Sequence, residues 1–371
     1  MYIALVAHIR HPIAPPFMGG MESHFHGLAH GLQAAGHHVT SFAAGGSDLP
    51  NLQVMCDQPY ESIYPRERFA GTHALQAYQA AAFRQAWDGI VSGGYDAVHN
   101  NSLYPDLIDW ALRDGIAMVT SQHVPPFGAM RDKVNAALNN DSQQITVTSD
   151  HQKTLWSNGN PSNLNVVHNG IDLDIWQPAT FRHDRMLWYG RITANKGLAS
   201  AVRAAAIAGR PLDIIGTMED RQYFDAEVAP YLTDRIRYLG HLAGAALRQC
   251  VAAARAVVVT PLWDEPFGLV AAEALSCGVP VLAFDRGALR EVVGECGIIV
   301  PPADIALLAS AMQQADLPDA RVCRARAQSR FSVQRMIAGY ERCYAAASKA
   351  QAMACCDRSA SSASSTRLLL A

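Results

Sequence analysis

The chain has 371 residues, which is too long for one ordinary hydrophobic core and predicts two domains. Half of the residues are hydrophobic and 17% are charged, a balance that excludes a disordered chain and is typical of a globular enzyme. The formal net charge of -3 produces no broad basic surface, so nucleic acid is excluded as the main partner.

Cysteine usage and hydropathy predict a cytoplasmic protein. The eight cysteines are scattered, without a CxxC pair or a zinc spacing, which favours reduced thiols. The opening MYIALVAHIRHP has no basic leader or small-residue cleavage site, so we expect a first strand and not a signal peptide. No uninterrupted apolar run approaches the roughly 20 residues of a membrane span. Peripheral contact with the inner face of a membrane stays open, although no strong basic amphipathic helix supports it.

Short apolar runs alternate with amphipathic stretches in the first half of the chain. The first expected elements are a buried strand at YIALVAHI, a helix at GGMESHFHGLAHGLQAAG that ends at Gly36, and a strand at HHVTSFAAG. Further strands are expected at YDAVHN, GIAMVTSQH and QQITVTS, separated by helical segments such as 104–113 and 132–140. This alternation predicts a parallel sheet with helices on both faces.

The same rhythm restarts near residue 186. Six more strands are expected at MLWYG, PLDIIG, IRYLG, AVVVTP, VPVLAF and GIIVPP, with helices at 195–208, 219–231, 243–254 and 267–277. The sequence therefore predicts two Rossmann-like α/β domains that face each other across a cleft. The expected parts are a first domain at 1–167, a turn-rich linker at 168–178, a second domain at 179–331, a helix at 332–350 and a disordered Ser/Ala-rich tail at 351–371.

Three nucleotide-binding or metal-binding patterns are absent or uninformative. The sequence contains no GxxxxGK[ST] phosphate loop, and no GxGxxG follows its first expected strand. One DxD, Asp172-Leu173-Asp174, lies in the expected linker and does not follow a core strand. We interpret it as a turn or a helix cap and not as a metal site.

Two basic residues follow the first strand of the second domain, in YGRITANKG. Arg191 and Lys196 are therefore expected at the carboxyl end of that strand, where ligands bind in such sheets. Arginine offers a planar fork of donors and lysine a compact charge, so the pair suits a diphosphate. Taken alone, the pair is equally well explained as two solvated surface cations.

The stretch WDEPFGLVAAEALSCGVPVLAF favours an anion at a helix start. Pro266 suits the first helical position, which would put the free amides of Phe267, Gly268 and Leu269 in the first turn. Gly268 would also let another group approach the backbone closely. A helix start of this kind favours phosphate.

The same stretch carries two glutamates with seven residues between them. Glu265 precedes the helix and can accept hydrogen bonds from hydroxyls on a neutral group beside the phosphate. Glu273 is two turns further in, where a buried carboxylate needs partners that ribose hydroxyls would supply. Together these residues imply a nucleoside diphosphate with an attached polyol as the ligand.

Four motifs in chain order resemble those of the retaining glycosyltransferases of family 4, which have the GT-B fold. They are the Glu-x7-Glu of EPFGLVAAE, the GR...KG of Gly190-Arg191 and Lys196-Gly197, the NG[IV]D of Asn169-Gly170-Ile171-Asp172, and the paired glycine Gly19-Gly20. The likeness covers about residues 1–345. It implies two facing Rossmann-like domains, an acceptor-side domain followed by a nucleotide-sugar-binding domain, and a C-terminal helix that crosses back to the first.

The resemblance implies a cofactor-free, metal-independent enzyme that moves a sugar from a UDP- or GDP-sugar to a hydroxyl acceptor with retention at the anomeric carbon. Arg191 and Lys196 would bind the diphosphate and stabilise it as it leaves. Glu265 would bind the donor-sugar hydroxyls, Glu273 the ribose, and His123 the sugar near its reacting carbon. The other implied donor contacts are Gly19, Gly20, Phe267, Gly268, Leu269 and, at the base, Leu242.

Several histidines have simpler interpretations. Taken alone, His123 would be interpreted as a core or capping histidine, and only the accompanying motifs favour the site. His26 and His30 stand at i and i+4 on a helix, a spacing that could bind a metal. No third ligand is evident, so we interpret the pair as part of a polar helix face.

The acceptor is much less determined than the donor. Arg10, His11 and Glu22 lie near the end of the first strand, where we expect an acceptor to dock. Asp285 and Glu291 follow the strand VPVLAF and either reach the donor pocket or cap a turn. A carbohydrate, a lipid-linked sugar and a small metabolite all stay open as acceptors.

Two other functions compete with glycosyl transfer. One is a GT-B hydrolase or epimerase that acts on the nucleotide sugar without transferring it. The other is a catalytically silent subunit that binds a sugar nucleotide in support of a partner. The intact set of Arg191, Lys196, Glu265 and His123 argues against a silent subunit.

Overall fold

The computed structural model of the protein describes residues 1–368 in two compact units. Unit 1 contains Met1–Thr148, Lys153–Val167 and the chain from Met336 onward. Unit 2 contains Ser149–Gln152 and His168–Arg335. Each unit has its own parallel sheet and its own hydrophobic core.

Unit 1 is built on seven parallel strands. Their spatial order is β3-β2-β1-β4-β5-β6-β7. The strands are β1 Tyr2–Ala7, β2 His38–Ala44, β3 Leu52–Cys56, β4 Ala97–Asn101, β5 Met118–Gln122, β6 Gln143–Val147 and β7 Leu164–Val166. The helices are α1 Gly20–Ala34, α2 Tyr60–Ile63, α3 Arg66–Phe69, α4 His73–Ser92, α5 Asp106–Asp114 and α6 Gly128–Ala137. Two more helices, α7 Asp150–Trp156 and α15 Val333–Leu368, have residues in both units.

The central strands of unit 1 are covered on both faces. All five residues of β4, β5 and β6 are buried, as expected for a parallel sheet enclosed by helices. On one helix, Phe25, Leu28 and Leu32 form an apolar stripe at helical spacing and lie fully buried. Hydrophobic patterning therefore accounts for the sheet and for α1.

Unit 2 repeats the architecture with six parallel strands. Their order is β10-β9-β8-β11-β12-β13. The strands are β8 Met186–Tyr189, β9 Leu212–Ile215, β10 Ile236–Tyr238, β11 Val257–Val259, β12 Val281–Phe284 and β13 Gly297–Val300. The helices are α8 Leu198–Ala208, α9 Arg221–Glu227, α10 Gly244–Ala253, α11 Leu269–Ser276, α12 Leu289–Val293, α13 Ile305–Gln313 and α14 Ala320–Arg330. Single 3-10 turns occur at Ala194–Lys196 and Ala229–Tyr231.

The structure confirms two parallel α/β sheets and all the strands expected from the sequence. It adds β3, β7 and the helices α2–α4, which the sequence analysis did not predict. The segment 168–178, predicted as the linker, groups with unit 2. Arg324 anchors this segment, because its guanidinium donates to the carbonyls of Leu173, Trp176 and Ser276.

The expected disorder after residue 350 is wrong for the residues that the structure describes. Helix α15 runs to Leu368, although the sequence analysis ended it near 350. The segment 351–368 contains no glycine or proline, and its alanines have high helix propensity. The last three residues of the predicted tail, 369–371, lie outside the described residues.

Within residues 1–368, no helix is both long enough and apolar enough to cross a bilayer.

Candidate functional site

The predicted cations and carboxylates of unit 2 gather where the strand order reverses. Strands β8 and β11 are neighbours at the centre of the sheet, although two strands separate them in sequence. Ligands of open α/β sheets bind at the carboxyl ends of strands at such a reversal. The loop after β8 carries Arg191 and Lys196, and the loop after β11 carries Glu265.

These two loops are tied to each other by hydrogen bonds. The Leu262 amide donates to the Asn195 carbonyl at 2.8 Å, and the Thr260 hydroxyl donates to the Gly197 carbonyl at 2.9 Å. Gly197 has φ +69°, and a Cβ there would lie 1.8 Å from the backbone carbonyl oxygen of Thr260. Only glycine permits this approach, so the KG of the sequence motif is needed to bring the loops together.

Lys196 and Glu265 form an ion pair between the two loops. The ammonium nitrogen contacts Oε1 of Glu265. The side chains are 24% and 12% exposed, so the pair is largely withdrawn from water and weakly screened. The sequence predicted that both residues bind a ligand, and the structure places them in contact with each other.

An aromatic residue that the sequence analysis did not single out completes this contact. The Trp263 Nε1–H donates to Oε1 of Glu265 at 2.9 Å. The Lys196 ammonium lies 5.0 Å from the centre of the indole ring, within cation–π range. The available sequence signal was an aromatic residue two positions before Glu265, on a loop that follows a buried strand.

The backbone of Glu265 is held from the opposite side by the loop after β12. The Ala288 amide donates to the Glu265 carbonyl at 2.9 Å. Gly287 has φ +60°, and a Cβ there would lie 2.2 Å from the Glu265 carbonyl oxygen. Glu265 is therefore presented on a backbone fixed by two neighbouring loops.

Glu273 lies on α11 beside the last residue of β8. The Tyr189 hydroxyl lies 2.8 Å from Oε2 of Glu273 and 3.0 Å from the Val270 carbonyl, and it can donate to either. Burial raises the pKa of Glu273 to about 7, against a smaller lowering by the Tyr189 hydrogen bond. The carboxyl is therefore close to half-protonated near neutral pH, and a ligand that donates hydrogen bonds would favour its charged form.

The predicted start of α11 is wrong, by two residues for the expected helix 267–277 and by three for Pro266 as its first residue. The helix begins at Leu269, with Gly268 as its N-cap at φ +92°, so Pro266 is not the first helical residue. A Cβ on Gly268 would lie 2.7 Å from Leu289, so both the backbone conformation and the packing require glycine here. Phe267 is 2% exposed and belongs to the core.

The helix start nevertheless keeps amides at the predicted edge of the sheet. The amides of Ala271 and Ala272 both donate to the Gly268 carbonyl. Because the first amides of a helix have no intrahelical acceptor, those of Leu269 and Val270 are the ones available to an anion.

Two other predicted donor residues, Arg191 and Leu242, have partners other than Lys196 and Glu265. Arg191 is 51% exposed and pairs with Glu219 at 3.1 Å, an exposed ion pair that contributes little stability. Leu242 lies between β10 and α10 and packs against the hydrophobic cluster that contains Tyr189. Diphosphate binding by Arg191 and contact of Leu242 with the base stay predictions.

Within unit 1, His123 follows β5 and contacts a second buried histidine. The ring centres of His123 and His24 lie 4.4 Å apart. Burial lowers the pKa of His123 to about 4 and also lowers the pKa of His24, so both rings are neutral near pH 7. Across the described chain, Nε2 of His123 and both ring nitrogens of His24 find no hydrogen-bond partner. His123 is therefore a neutral hydrogen-bonding group and not a cation.

The residues predicted at the acceptor end lie together at the end of β1. His8 contacts Glu22 at 3.2 Å, and Arg10 pairs with Glu61 at 2.7 Å. Burial acts to raise the pKa of Glu22, but the hydrogen bond and charge of His8 leave the net pKa below its usual value. A Cβ on Gly19 would lie 3.1 Å from Oε2 of Glu22, so this glycine makes room for the carboxylate.

Gly20 and His11 complete this end of the unit 1 sheet. Gly20 is the first residue of α1. Burial lowers the pKa of the neighbouring His11. The donor-binding role of Gly20 stays a prediction.

The remaining acidic candidates have structural partners. Asp172 accepts a hydrogen bond from the Asp174 amide at 2.9 Å, which confirms the interpretation of the DxD as a turn. Asp285 pairs with Arg290. Glu291 accepts from the Asp150 amide at 2.9 Å and pairs with His168 at 2.7 Å, which favours the capping alternative.

His26 and His30 are oriented by the helix that carries them. Nδ1 of His30 lies 2.9 Å from the His26 carbonyl, and the two ring centres are 4.1 Å apart. Phe17 packs against the His26 ring at 5.2 Å. One ring is half-buried and the other exposed, as the interpretation of a polar helix face requires.

Two protein-family models match the chain. Residues 18–175 match the model described as Glycosyltransferase Family 4. Residues 183–315 match the model described as Glycosyl transferases group 1. The first match lies mainly in unit 1 and the second entirely in unit 2.

Curated relatives and solved structures agree with these matches. The glycogen synthase of Mycobacterium tuberculosis is 27% identical over 368 residues, with 84% of this chain and 86% of that protein covered. The D-inositol 3-phosphate glycosyltransferase of Mycobacteroides abscessus is 29% identical over 351 residues, with 81% of this chain and 78% of that protein covered.

Structural similarity extends over nearly the whole chain. The crystal structure of Anabaena HepE in complex with UDP has a TM-score of 0.70 at 18% identity, with 92% of this chain and 99% of that chain covered. For its complex with UDP-glucose the TM-score is 0.62, again at 18% identity, with 91% and 97% covered.

Proposed function

We propose that this chain, which belongs to the GT-B glycosyltransferases, moves a sugar from a UDP- or GDP-sugar to a hydroxyl acceptor with retention at the anomeric carbon and without a metal. The observation that carries the donor assignment is the Lys196–Glu265 contact at the central strand reversal of unit 2. One cation and one carboxylate side by side match a ligand in which a diphosphate is bonded to a polyhydroxylated sugar.

The donor would replace the contacts that these groups make with each other. Its diphosphate would take Lys196 and the amides of Leu269 and Val270, and Arg191 would exchange its exposed partner Glu219 for the same anion. Glu265, relieved of its cation, would accept hydrogen bonds from the sugar hydroxyls. Glu273 would accept from the ribose.

Breaking the bond between the sugar and the diphosphate builds negative charge on the leaving oxygen. Lys196 and Arg191 would stabilise that charge in a partly dry site, where fixed donors stabilise charge far better than in water. No carboxylate is left over in this assignment to act as a covalent nucleophile, since Glu265 and Glu273 both bind hydroxyls. We therefore propose retention by attack on the face that the diphosphate leaves, as the family resemblance implies.

The acceptor class stays open among carbohydrates, lipid-linked sugars and small molecules. Glycogen synthase and D-inositol 3-phosphate glycosyltransferase, the names of two relatives, support a polysaccharide and a small phosphorylated polyol as the first acceptors to try. The complexes of HepE support uridine nucleotides as the first donors to try. Contact with a membrane surface is left as an alternative for a lipid-linked acceptor.

A thermal-shift screen tests the donor assignment directly. A nucleoside diphosphate that binds only the native state raises the melting temperature with its concentration. We expect UDP or GDP to do so and intact nucleotide sugars of the same base to do so as well, in buffer that contains EDTA. No shift with any nucleoside diphosphate, in protein shown to be folded by circular dichroism, would remove the assignment.

Product analysis separates transfer from its rivals. With the donor identified, we expect a new glycoside in the presence of an acceptor, whose anomeric configuration by NMR matches that of the donor. Free sugar as the main product at every acceptor would favour hydrolysis, an isomerised nucleotide sugar would favour epimerisation, and donor binding without turnover would favour a silent binding subunit.

A further inference from the structure

One indole side chain contacts both charged groups of the proposed donor site. The Trp263 Nε1–H donates to Oε1 of Glu265, and the Lys196 ammonium faces the Trp263 ring. Oε1 is also the oxygen that Lys196 contacts. Two donors of different kinds, a lysine ammonium and a neutral ring N–H, therefore share one carboxylate oxygen.

We propose that Trp263 is a positioning residue that holds Glu265 in place when Lys196 moves to the donor diphosphate. This inference rests on the proposed function, because it assigns Lys196 to the diphosphate and Glu265 to the sugar. In that exchange Glu265 loses its cation and keeps the indole N–H. The hydrogen bond then fixes which carboxylate lone pairs face the sugar hydroxyls.

Such an anchor is required by the position of Glu265. Its side chain is only 12% exposed, and a carboxylate withdrawn from water is costly unless it is hydrogen-bonded. The Ala288 amide and Gly287 fix its backbone but leave the side-chain torsions free. Trp263 supplies the missing restraint, and its N–H does not titrate, so the anchor is independent of pH.

The face of the Trp263 ring contacts Lys196, the residue proposed to move to the diphosphate. Lys196 lies 5.0 Å from the ring centre, so the ammonium keeps a favourable neighbour on the indole when it leaves the carboxylate. Lysine carries its charge on a flexible four-carbon stem, which lets the ammonium change partners. The N–H and the ring face thus have separable roles, which a single substitution distinguishes.

Trp263→Phe retains an aromatic face for Lys196 and removes only the N–H donor. We expect the affinity for an intact nucleotide sugar to fall by about tenfold, the loss typical of one hydrogen bond to a charged group. The affinity for the nucleoside diphosphate alone should stay within about twofold, because Glu265 is assigned to the sugar of the donor and not to its diphosphate. Isothermal titration with UDP and UDP-glucose, or with GDP and GDP-mannose, measures both quantities on the full chain.

A matched control is available in unit 1. Trp87 also donates its Nε1–H to a carboxylate, that of Asp114, at 2.8 Å. Trp87→Phe should leave both affinities at the wild-type values, whatever its effect on the melting temperature. In a Glu265→Ala background, Trp263→Phe should no longer change the nucleotide-sugar affinity, because the group that it positions is gone.

Each outcome supports or overturns the inference. A selective loss of nucleotide-sugar affinity in Trp263→Phe, which disappears in the Glu265→Ala background, supports it. Equal affinities for both ligands in Trp263→Phe and wild type overturn it, and so does a parallel loss for both ligands. If wild-type protein binds neither UDP nor GDP, the proposed function itself fails, and the inference fails with it.

Discussion

Nucleotide-sugar binding should tighten as the pH rises through neutrality, because Glu273 must be ionised to accept hydrogen bonds from the ribose. Burial raises the pKa of Glu273 to about 7, so the carboxyl is mainly protonated in mildly acidic buffer. Ribose hydroxyls that donate to the carboxylate stabilise its charged form and lower its pKa in the complex. Binding therefore releases a proton below about pH 7 and releases none well above it.

The size of the effect follows from the two pKa values. If the ribose bonds restore the ordinary carboxyl pKa, the association constant should rise by about 20-fold between about pH 5.5 and pH 7.5 and level off above pH 8. The ligand must be an intact nucleotide sugar, because the terminal phosphate of a free nucleoside diphosphate itself titrates near about pH 6.

Isothermal titration in buffers of different ionisation enthalpy measures both the affinity and the protons released. Glu273→Gln is the matched variant, since it preserves shape and cannot ionise. We expect its affinity to vary by less than about threefold over the same range. An equally steep pH dependence in wild type and Glu273→Gln would refute the reasoning, and so would a wild-type affinity that does not change with pH.

The same group links pH to the stability of unit 2. The pKa of Glu273 in the native state, about 7, lies above the ordinary glutamate value of 4.5, so between these values the native state holds a proton that the unfolded chain has lost. The stabilising contribution of this proton is complete below about pH 4.5 and is lost as the pH rises through 7, at a cost of about 3 kcal/mol. Glu273→Gln should therefore raise the melting temperature relative to wild type at pH 8 and not at pH 4.5.

Three further predictions test other parts of the site. Lys196→Ala and Glu265→Ala should each lower kcat by about 100-fold or more with unchanged circular dichroism, because both remove charge-specific contacts. Wild-type turnover in both variants would contradict the assignment. His123→Asn should lower kcat without changing the shape of its pH profile between about pH 5.5 and 8, because the pKa of His123, about 4, keeps the ring neutral there; loss of an acidic limb would contradict this. Gly197→Ala should destabilise the protein by about 3 kcal/mol in denaturant unfolding, because its Cβ would clash with Thr260. Gly209→Ala, with a similar φ of +62° but open space around it, should cost only about 1 kcal/mol. Equal costs for the two variants would refute the clash.

The parts of the fold that could be predicted from the sequence are those that hydrophobic burial alone determines. Four of the six strands of unit 2 are apolar runs without a charged residue, and β9 and β10 each carry one charge, Asp213 and Arg237. The missed strand β3 exposes Gln53 and Val54, so it lacks the buried apolar run of the other strands. Helix α4 was missed because alanines dilute its apolar stripe, which the buried Phe83 and Trp87 reveal only in three dimensions.

Helix boundaries were predicted less well, because they depend on backbone conformation and not on hydrophobic pattern. The EPFG sequence suggests a helix that starts at the proline, yet the left-handed conformation of Gly268 delays it to Leu269. Proline at a first helical position and glycine at an N-cap are both favourable, so the sequence admitted either start. In the structure glycine is the N-cap, where its φ of +92° and its packing against Leu289 leave no room for a side chain.

Pairing within the site was beyond prediction for a different reason. Sequence motifs assign Lys196, Glu265 and Glu273 to a ligand, each by its own chemistry, and carry no information on which side chains these residues contact within the chain. Partly buried polar groups need partners, so Lys196 pairs with Glu265, and Tyr189 lies within hydrogen-bonding distance of Glu273. A donor must exchange these contacts for its own. The binding free energy of the donor is therefore the difference between its contacts with the protein and the contacts within the chain that it replaces. Removing one residue of a pair such as Lys196–Glu265 should for this reason change that free energy by less than the full strength of the bond to the donor.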